Sequence, residues 1–463
     1  MQQHLFDKQV YQQRRYELKK KVGNGLIILP GNKEAGINFR DNWYPFRQDS
    51  SFLYYFGIAE ANLAGVIDID ADEEYIIGNE LTIDDIVWTG PLATVREMAA
   101  SVGIDKTKPM ADLATLLKGR KPHYLPPYRS DQTLQLSALL GTDNDTVNAG
   151  FSVELIKAIV AQRSIKSVEE IMELHKACDI TSAMHLEVMR SVRPGMKEYE
   201  LVGIAKKVVA DHHTHLSFPP ILTKQGEVLH NHYHGNELHD GDLLLFDGGA
   251  ESHSFYAGDM TRTYPVGKSF TSEQRDLYQV MYNAHRTAIE ALAPGKRYRD
   301  IHLLASKTLV EGLTGLGIMK GDPDEAVAAG AHTMFFQCGL GHMMGLDVHD
   351  MENLGEQYVG YTDELQQSKE FGLKSLRLGR KLEPGFVITV EPGIYIIPSL
   401  IDQNQSQGKY LDFINYDKLA HFRNFGGMRV EDDFAITDSG YQLLGTPLAN
   451  SVEAIEDIRK SAY

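Results

Sequence analysis

Three short apolar runs end in carboxylates. Leu243-Leu-Leu-Phe246 runs into Asp247-Gly-Gly, Val387-Ile-Thr-Val390 into Glu391-Pro-Gly, and Met428-Arg-Val430 into Glu431-Asp-Asp. An ionised carboxylate straight after a buried strand loses its hydration unless something pairs with it. One such acid is an ordinary strand-end turn. Three of them, beside Gly258-Asp259-Met-Thr-Arg262 and Gly341-His342-Met-Met-Gly345, make a set. Four carboxylates and one imidazole suit a pair of divalent cations, since an oxygen-rich shell with one imidazole favours Mn²⁺, Co²⁺ or Fe²⁺ over thiolate-seeking ions. Two ions about 3.5–4 Å apart hold a bridging water, lower its pKa and polarise a carbonyl oxygen. The chemistry these residues point to is metal-assisted hydrolysis. Arg429, two residues before Glu431, is placed to orient a ligand carboxylate.

The elements that must position these side chains follow from periodicity and caps. Residues 1 to about 150 alternate strand-like runs, Leu26-Ile-Ile-Leu29 and Ala64-Gly-Val-Ile-Asp-Ile69, with helical stretches over 11–21 and 91–102, as in an α/β unit. A Pro-rich loop over 121–131 follows, then a long amphipathic segment over 152–192. Its second half opens at Ser167-Val-Glu-Glu170, a capping box, and stops at Pro194-Gly195. The domain boundary is set at that internal cap, giving domains 1–165 and 166–463. Pro194-Gly195-Met-Lys-Glu-Tyr-Glu-Leu201 matches Pro294-Gly295-Lys-Arg-Tyr-Arg-Asp-Ile301 one hundred residues on, and a second capping box stands at Thr271-Ser-Glu-Gln274. Two rounds of helix, Pro-Gly turn, helix and strands suggest a duplicated α+β domain. Each half would deliver one acidic pair to a shared centre: Asp247 with Asp259 on a hairpin turning through Gly248, Gly249 and Gly258, and Glu391 with Glu431. Pro392 rules out a helix through Glu391.

The 463 residues carry 46 basic and 63 acidic side chains, a net charge of −17. So acidic a surface is repelled by nucleic-acid backbones and anionic lipids, and no partner of either kind is expected. Two cysteines, Cys178 and Cys338, exclude a disulfide framework and a cysteine-based metal site. No signal-peptide pattern and no long apolar run occurs, so a cytoplasmic globular protein is expected. Neither glycine-rich stretch, 312–317 or 339–345, has the context of a dinucleotide site. Trp88 is expected to be a core or interface aromatic.

Asp247-Gly-Gly…Gly-Asp259-Met-Thr-Arg, Gly-Leu-Gly-His342, Leu-Asp-Val-His349-Asp, Val-Glu391-Pro-Gly and Arg429-Val-Glu431-Asp resemble the pita-bread metallopeptidases, within them the Xaa-Pro aminopeptidase (aminopeptidase P) and prolidase branch. Tyr44-Pro-Phe-Arg-Gln-Asp-Ser-Ser-Phe52 resembles that branch's N-terminal domain, so the likeness spans nearly the whole chain. It implies an α/β N-terminal domain and a pseudo-twofold α+β pita-bread catalytic domain. It further implies a dinuclear site ligated by Asp247, Asp259, His342, Glu391 and Glu431, with manganese first and Co²⁺, Fe²⁺ or Zn²⁺ as alternatives. By the same likeness Glu391 is also the proton shuttle, His349 lines the substrate pocket, and the protein is a homodimer or homotetramer.

Two departures stand out. Asp247 and Asp259 are twelve apart, one more than in the commonest family hairpin, and Cys338 stands where many members have a histidine. The stretches 356–380 and 399–424 are long beside the family pattern and are expected as surface loops near the mouth of the site. One pocket histidine is expected before the Asp247 strand. Counting back from Gly241 favours His230, the His-Tyr dipeptide favours His232, and His234 is a weaker third; His212, His213, His215 and His239 are expected on the surface.

The expected reaction is hydrolysis of the Xaa-Pro bond at peptide N-termini by attack of a metal-bridging hydroxide. The alternatives are an Xaa-Pro dipeptidase, which needs a cationic group for the free carboxylate, and a non-catalytic pseudo-peptidase acting as a binding module. A methionine aminopeptidase resembles only the second domain, and a metal-free creatinase-like enzyme does not require the full ligand set.

Overall fold

The structure is a computed structural model and describes residues 6–462. It divides into two compact units, one running up to Arg163 and including Glu352–Tyr358, the other made of Ser164–Met351 and the chain from Val359 onward. A single cut in the sequence does not provide for Glu352–Tyr358.

The first unit holds a four-stranded sheet in chain order: β1 (Leu26–Pro30), β2 (Ala64–Asp68), β3 (Glu73–Ile77) and β4 (Lys106–Lys108). All pairs are antiparallel except β3 with β4. Leu26, Ile28, Val66 and Ile77 pack on Leu113 and Leu117 in its core. The helix Lys8–Val22 starts where the Asp7 carboxylate accepts the Gln9 N–H and ends at Gly23, whose φ of +90° a side chain would oppose. Its buried Arg15 donates to Glu74 (2.7 Å) and to the carbonyls of Tyr55 and Val102 (both 2.9 Å), which satisfies a charge that could not otherwise be buried. The helix expected from residue 91 begins only at Val95, because Thr94 and Glu97 form a capping box there. Trp88 is not a core aromatic: it is 87% exposed on the helix Ile83–Thr89, which buries none of its residues.

In the second unit the capping boxes open the helices Val168–Ser191 and Ser272–Glu290. The matched Pro-Gly turns are followed by the helices Glu198–Asp211 and Tyr298–Gly315. Their backbone bonds correspond one for one. Gly195 N–H donates to the Leu238 carbonyl and Gly295 N–H to that of Leu382, both at 2.7 Å. Leu238 and Leu382 return bonds to Met196 and Lys296 (2.8 Å each), and Glu198 and Tyr298 donate to Asn236 and Arg380. The turns are thus one hundred residues apart and their partners 144, and that second offset also carries Asp247 onto Glu391. The repeat is a true duplication of structure, with the two halves differing by inserted chain.

The strands of this unit are β5 (Ile221–Thr223), β6 (Leu243–Gly248), β7 (Met260–Pro265), β8 (Val387–Val390), β9 (Gly393–Tyr395), β10 (Gly427–Arg429), β11 (Asp432–Ile436) and β12 (Tyr441–Leu443). They form antiparallel sheets β5-β6-β7 and β12-β11-β8 and the pair β9-β10. The halves are stitched by the bridge Thr261↔Glu431 and by the buried Arg262, which donates to Asp432 (2.6 Å) and to the Glu431 and Leu448 carbonyls (2.7 and 3.0 Å).

Several histidines of this unit are buried. Burial holds the imidazole of His302 at about 3 and that of His332 at about 4. In the unfolded chain each titrates near 6.5. Below that pH the unfolded state binds more protons than the folded one. The stability these neutral groups give is therefore present above about 6.5 and lost as pH falls toward their folded values. At pH 5, His302 alone is expected to cost about 2 kcal/mol relative to neutral pH. A His302→Leu variant should accordingly lose less melting temperature than the wild type between pH 7.5 and pH 5; parallel losses would show that His302 does not govern the acid response.

Candidate metal centre

Asp247 lies near the end of β6 and Asp259 directly precedes β7, so their hairpin brings both acids to one end of an antiparallel pair. Glu391 follows β8, and Glu431 sits between β10 and β11 opposite Thr261. His342 is on a loop pinned to β8 by the bridge Met343↔Ile388.

Ligand-type atoms of Asp259, His342 and Glu431 lie within 4.8 Å of one another. His342 Nε2 is 3.4 Å from Asp259 Oδ2 and 3.7 Å from Glu391 Oε1. His342 Nδ1 is 3.0 Å from the Met343 carbonyl oxygen, which assigns the proton of a neutral ring to Nδ1 and a lone pair to Nε2. Burial lowers the pKa of this histidine, favouring the neutral ring. With the carboxylates ionised, the imidazole nitrogen and the carboxylate oxygens face one another as acceptors. Asp259 Oδ1 is also buried without a hydrogen-bond partner. A cation fits this donor set.

The electrostatics agree. Burial first, and then the neighbouring acids, push the carboxyls of Asp259 and Glu431 well above the usual carboxylate range; burial raises Glu391 as well. A divalent ion among them reverses that pressure by favouring the ionised forms. Asp433 supports the cluster from beneath: it accepts from the Asp259 N–H (3.0 Å) and the Cys178 thiol (3.1 Å), and burial raises it to about 8.

Arg429 is where a charged anchor is needed. Its buried guanidinium donates to Asp247 Oδ2, to Tyr395 Oη (2.8 Å) and to Thr261 Oγ1 (3.0 Å). Thr261 in turn donates to Glu431 Oε2 at 2.6 Å. The carboxylate that Arg429 orients directly is thus Asp247, from the other half, while Glu431 on its own strand segment is held by Thr261.

Asp247, Asp259, His342, Glu391, Arg429 and Glu431 line a pocket of about 570 Å³ together with His230, His232 and His349. The sequence left His230 and His232 open, and both line it. His234 does not, its Nε2 lying 3.2 Å from the Pro220 carbonyl. His212, His213, His215 and His239 are exposed. The His349 ring meets that of His342 edge-on, centroids 4.3 Å apart, and the adjoining Asp350 is locked to Lys166 by a buried 2.8 Å ion pair. Cys338 lines the pocket with its thiol pushed up to about 12, chiefly by burial, so it is a neutral wall and not a nucleophile.

The expectation that 356–380 forms a surface loop fails in part. Ser375 and Arg377 line the pocket, because Leu376 and Leu378 are buried and anchor that stretch. The alternation Leu-Arg-Leu was the signal for it in the sequence. The stretch 399–424 contributes nothing to this pocket and folds largely into the helices Pro398–Ser406 and Tyr416–His421. Asp433, Tyr395 and Thr261 were not distinguishable from ordinary strand residues.

Comparison with known proteins places these features. The family model for metallopeptidase family M24 matches residues 172–438, and that for the aminopeptidase P N-terminal domain matches residues 11–123. The human Xaa-Pro dipeptidase is 33% identical over 442 residues, covering 93% of this chain and 88% of its own. The Xaa-Pro aminopeptidase of Escherichia coli strain K12 is 30% identical and covered to 98% in both chains. Among solved structures, aminopeptidase PepP of Pseudomonas aeruginosa superposes with a TM-score of 0.82 at 26% identity, and zinc-substituted E. coli aminopeptidase P in complex with product with 0.82 at 28%; each covers 99% of both chains. Among the described residues, no helix is long and apolar enough to cross a membrane.

Proposed function

Since the chain belongs to metallopeptidase family M24, we propose that it is a divalent-metal-dependent exopeptidase that hydrolyses the Xaa-Pro bond at peptide N-termini, with Asp247, Asp259, His342, Glu391 and Glu431 holding two ions. The observation that carries this reading is the cluster of Asp259, His342 and Glu431, with Asp259 Oδ1 buried and unpartnered and Asp247 and Glu391 lining the same pocket, in a chain of this family. When bound, such ions lower the pKa of a water and polarise a peptide carbonyl.

The chain's own residues supply the rest. Glu391, its carboxyl raised above the ordinary value by burial, takes the water's proton and passes it to the imide nitrogen of proline, which cannot leave unprotonated. His349, with His230 or His232, donates hydrogen bonds to the carbonyl oxygen as charge develops there. Phe218, Pro219, Leu229 and Val348 give the pocket an apolar lining suited to a pyrrolidine ring. Proline has no N–H and a fixed φ, so a site shaped for the ring replaces the backbone pairing that other peptidases use. Manganese as the ion and a homodimer or homotetramer belong to this reading, supported by the family resemblance, and a cytoplasmic location belongs to it on the sequence pattern alone.

One observation favours the dipeptidase alternative: Arg377 lines the pocket and can receive the free carboxylate of an Xaa-Pro dipeptide. The test compares Mn²⁺-loaded protein, with an EDTA-treated control, on Xaa-Pro dipeptides and on Xaa-Pro-Yaa peptides. Faster cleavage of the longer peptides supports the aminopeptidase, cleavage of dipeptides alone the dipeptidase, and no cleavage with or without metal the binding module. Arg377→Gln is expected to raise KM for a dipeptide about tenfold or more, as loss of a charge-assisted pair does, and to change KM for the longer peptide less. Equal effects on both would remove Arg377 from carboxylate recognition.

A further inference from the structure

A cavity of about 750 Å³ in the second unit is separate from the catalytic pocket and larger than it. Its size is that of a small-molecule site. One wall is the helix Tyr298–Gly315, through Leu303, Leu304 and Lys307. Phe371 and Leu373 close it from the stretch 356–380, and Tyr410 from the stretch 399–424. The two insertions that are long beside the family pattern therefore converge here.

His332 also lines this cavity, and it is the feature that asks for a ligand. The residue is 3% exposed, and neither ring nitrogen has a hydrogen-bond partner. Burial holds it neutral at pH 7, so one nitrogen donates and the other accepts. Unmet groups of this kind cost stability unless something supplies the bonds. His302 gives it no bond: its own nitrogens are equally unpartnered, and the two ring centroids are 6.4 Å apart. The charged lining is mainly acidic, beside the hydroxyls of Thr333 and Tyr410. Asp300, Asp324 and Glu370 stand against the single ammonium of Lys307, which is already paired with Asp324 at 2.7 Å. An apolar wall, an acidic rim and a neutral imidazole that can both donate and accept define complementary chemistry.

We propose that this cavity is a second small-molecule site, for an organic cation with an apolar body and a terminal hydroxyl or amide, and that its occupancy is coupled to peptide binding. The coupling half rests on the reaction proposed above. It follows from continuity of chain. His332 and Thr333 lead directly to Gln337 and Cys338 of the catalytic pocket, and Phe371 and Leu373 to Ser375 and Arg377 of the same pocket. A ligand that sets one end of both segments constrains the other.

Tyramine carries the required ammonium, ring and hydroxyl and serves as the probe. Calorimetric titration of the full chain is expected to give one saturable site of about 1 mM or tighter, weakened about tenfold or more by Leu304→Arg or by His332→Phe, and unchanged by Asp259→Asn. Absence of saturation in the wild type overturns the site. So does binding lost in Asp259→Asn but kept in Leu304→Arg, because the amine is then at the catalytic centre. Retained affinity in His332→Phe overturns the ligand class. For the coupling, saturating tyramine is expected to move KM for an Xaa-Pro-Yaa peptide about threefold or more in the wild type and not in Leu304→Arg; an unmoved KM in the tyramine-bound wild type overturns it. A chain that cleaves no such peptide overturns the reaction proposed above, and the isotherms still decide the site.

Discussion

Replacing Asp259 with asparagine is expected to invert the metal dependence of stability. In the metal-free protein, Asp259, Glu431 and Glu391 are held above the usual carboxylate range by burial and by one another. Deleting one acid relieves that repulsion, so in EDTA the Asp259→Asn variant should be more stable than the wild type by on the order of 1 kcal/mol or more. Added Mn²⁺ should raise the wild-type melting temperature strongly and the variant's little, because binding to the folded state alone is what stabilises. Elemental analysis should find about two ions per loaded wild-type chain and fewer in the variant. Hydrolysis should fall on the order of a thousandfold, the loss of several kcal/mol of transition-state stabilisation. A variant less stable than the wild type in EDTA would show that the four acids are accommodated without a cation, and would remove the main electrostatic ground for the metal centre.

Arg429→Met should act in the opposite direction on the metal-free protein. The guanidinium is the cation in direct contact with Asp247, and it also holds Tyr395 and Thr261. Removing it leaves a buried carboxylate uncompensated, a loss of about 3–5 kcal/mol. Metal should recover part of that loss, while apparent metal affinity or activity drops about 10–100-fold because Asp247 and Glu431 are no longer oriented. Arg429→Lys keeps the charge and loses the three-way fork, so it should recover stability more than activity. Thermal melts with and without Mn²⁺ separate the two effects. Equal stability of Arg429→Met and the wild type in EDTA would mean that Asp247 is stabilised by something other than this pair.

The chemical part of the site was legible because it is written in residue type and local spacing. An acid after a β-run, a proline that bars a helix at Glu391, and a Gly-Asp pair at a hairpin each have a short-range cause. The repeat was legible for the same reason, as the two Pro-Gly turns at 195 and 295 make the same bonds to partners 144 residues apart. What was misjudged lies where the signal is short or non-local. The stretch 356–380 was expected to be a surface loop because it is long beside the family pattern, yet Leu376 and Leu378 are buried and Arg377 lines the pocket. Of the two expectations for Trp88, the core one fails, because its short helix buries none of its residues.

By itself the sequence determined which carboxylates and which histidine stand at strand ends and turns, and the duplicated frame that carries them, since composition and spacing fix which groups a strand end or turn presents. Only the tertiary structure decided which acid Arg429 orients, that His230 and His232 share the pocket with His349, and that His332 is left buried without a hydrogen bond. The physical reason is the same in each case: these outcomes depend on which backbone from another half of the fold arrives within about 3 Å, and hydrogen bonding at that range has no signature in local sequence.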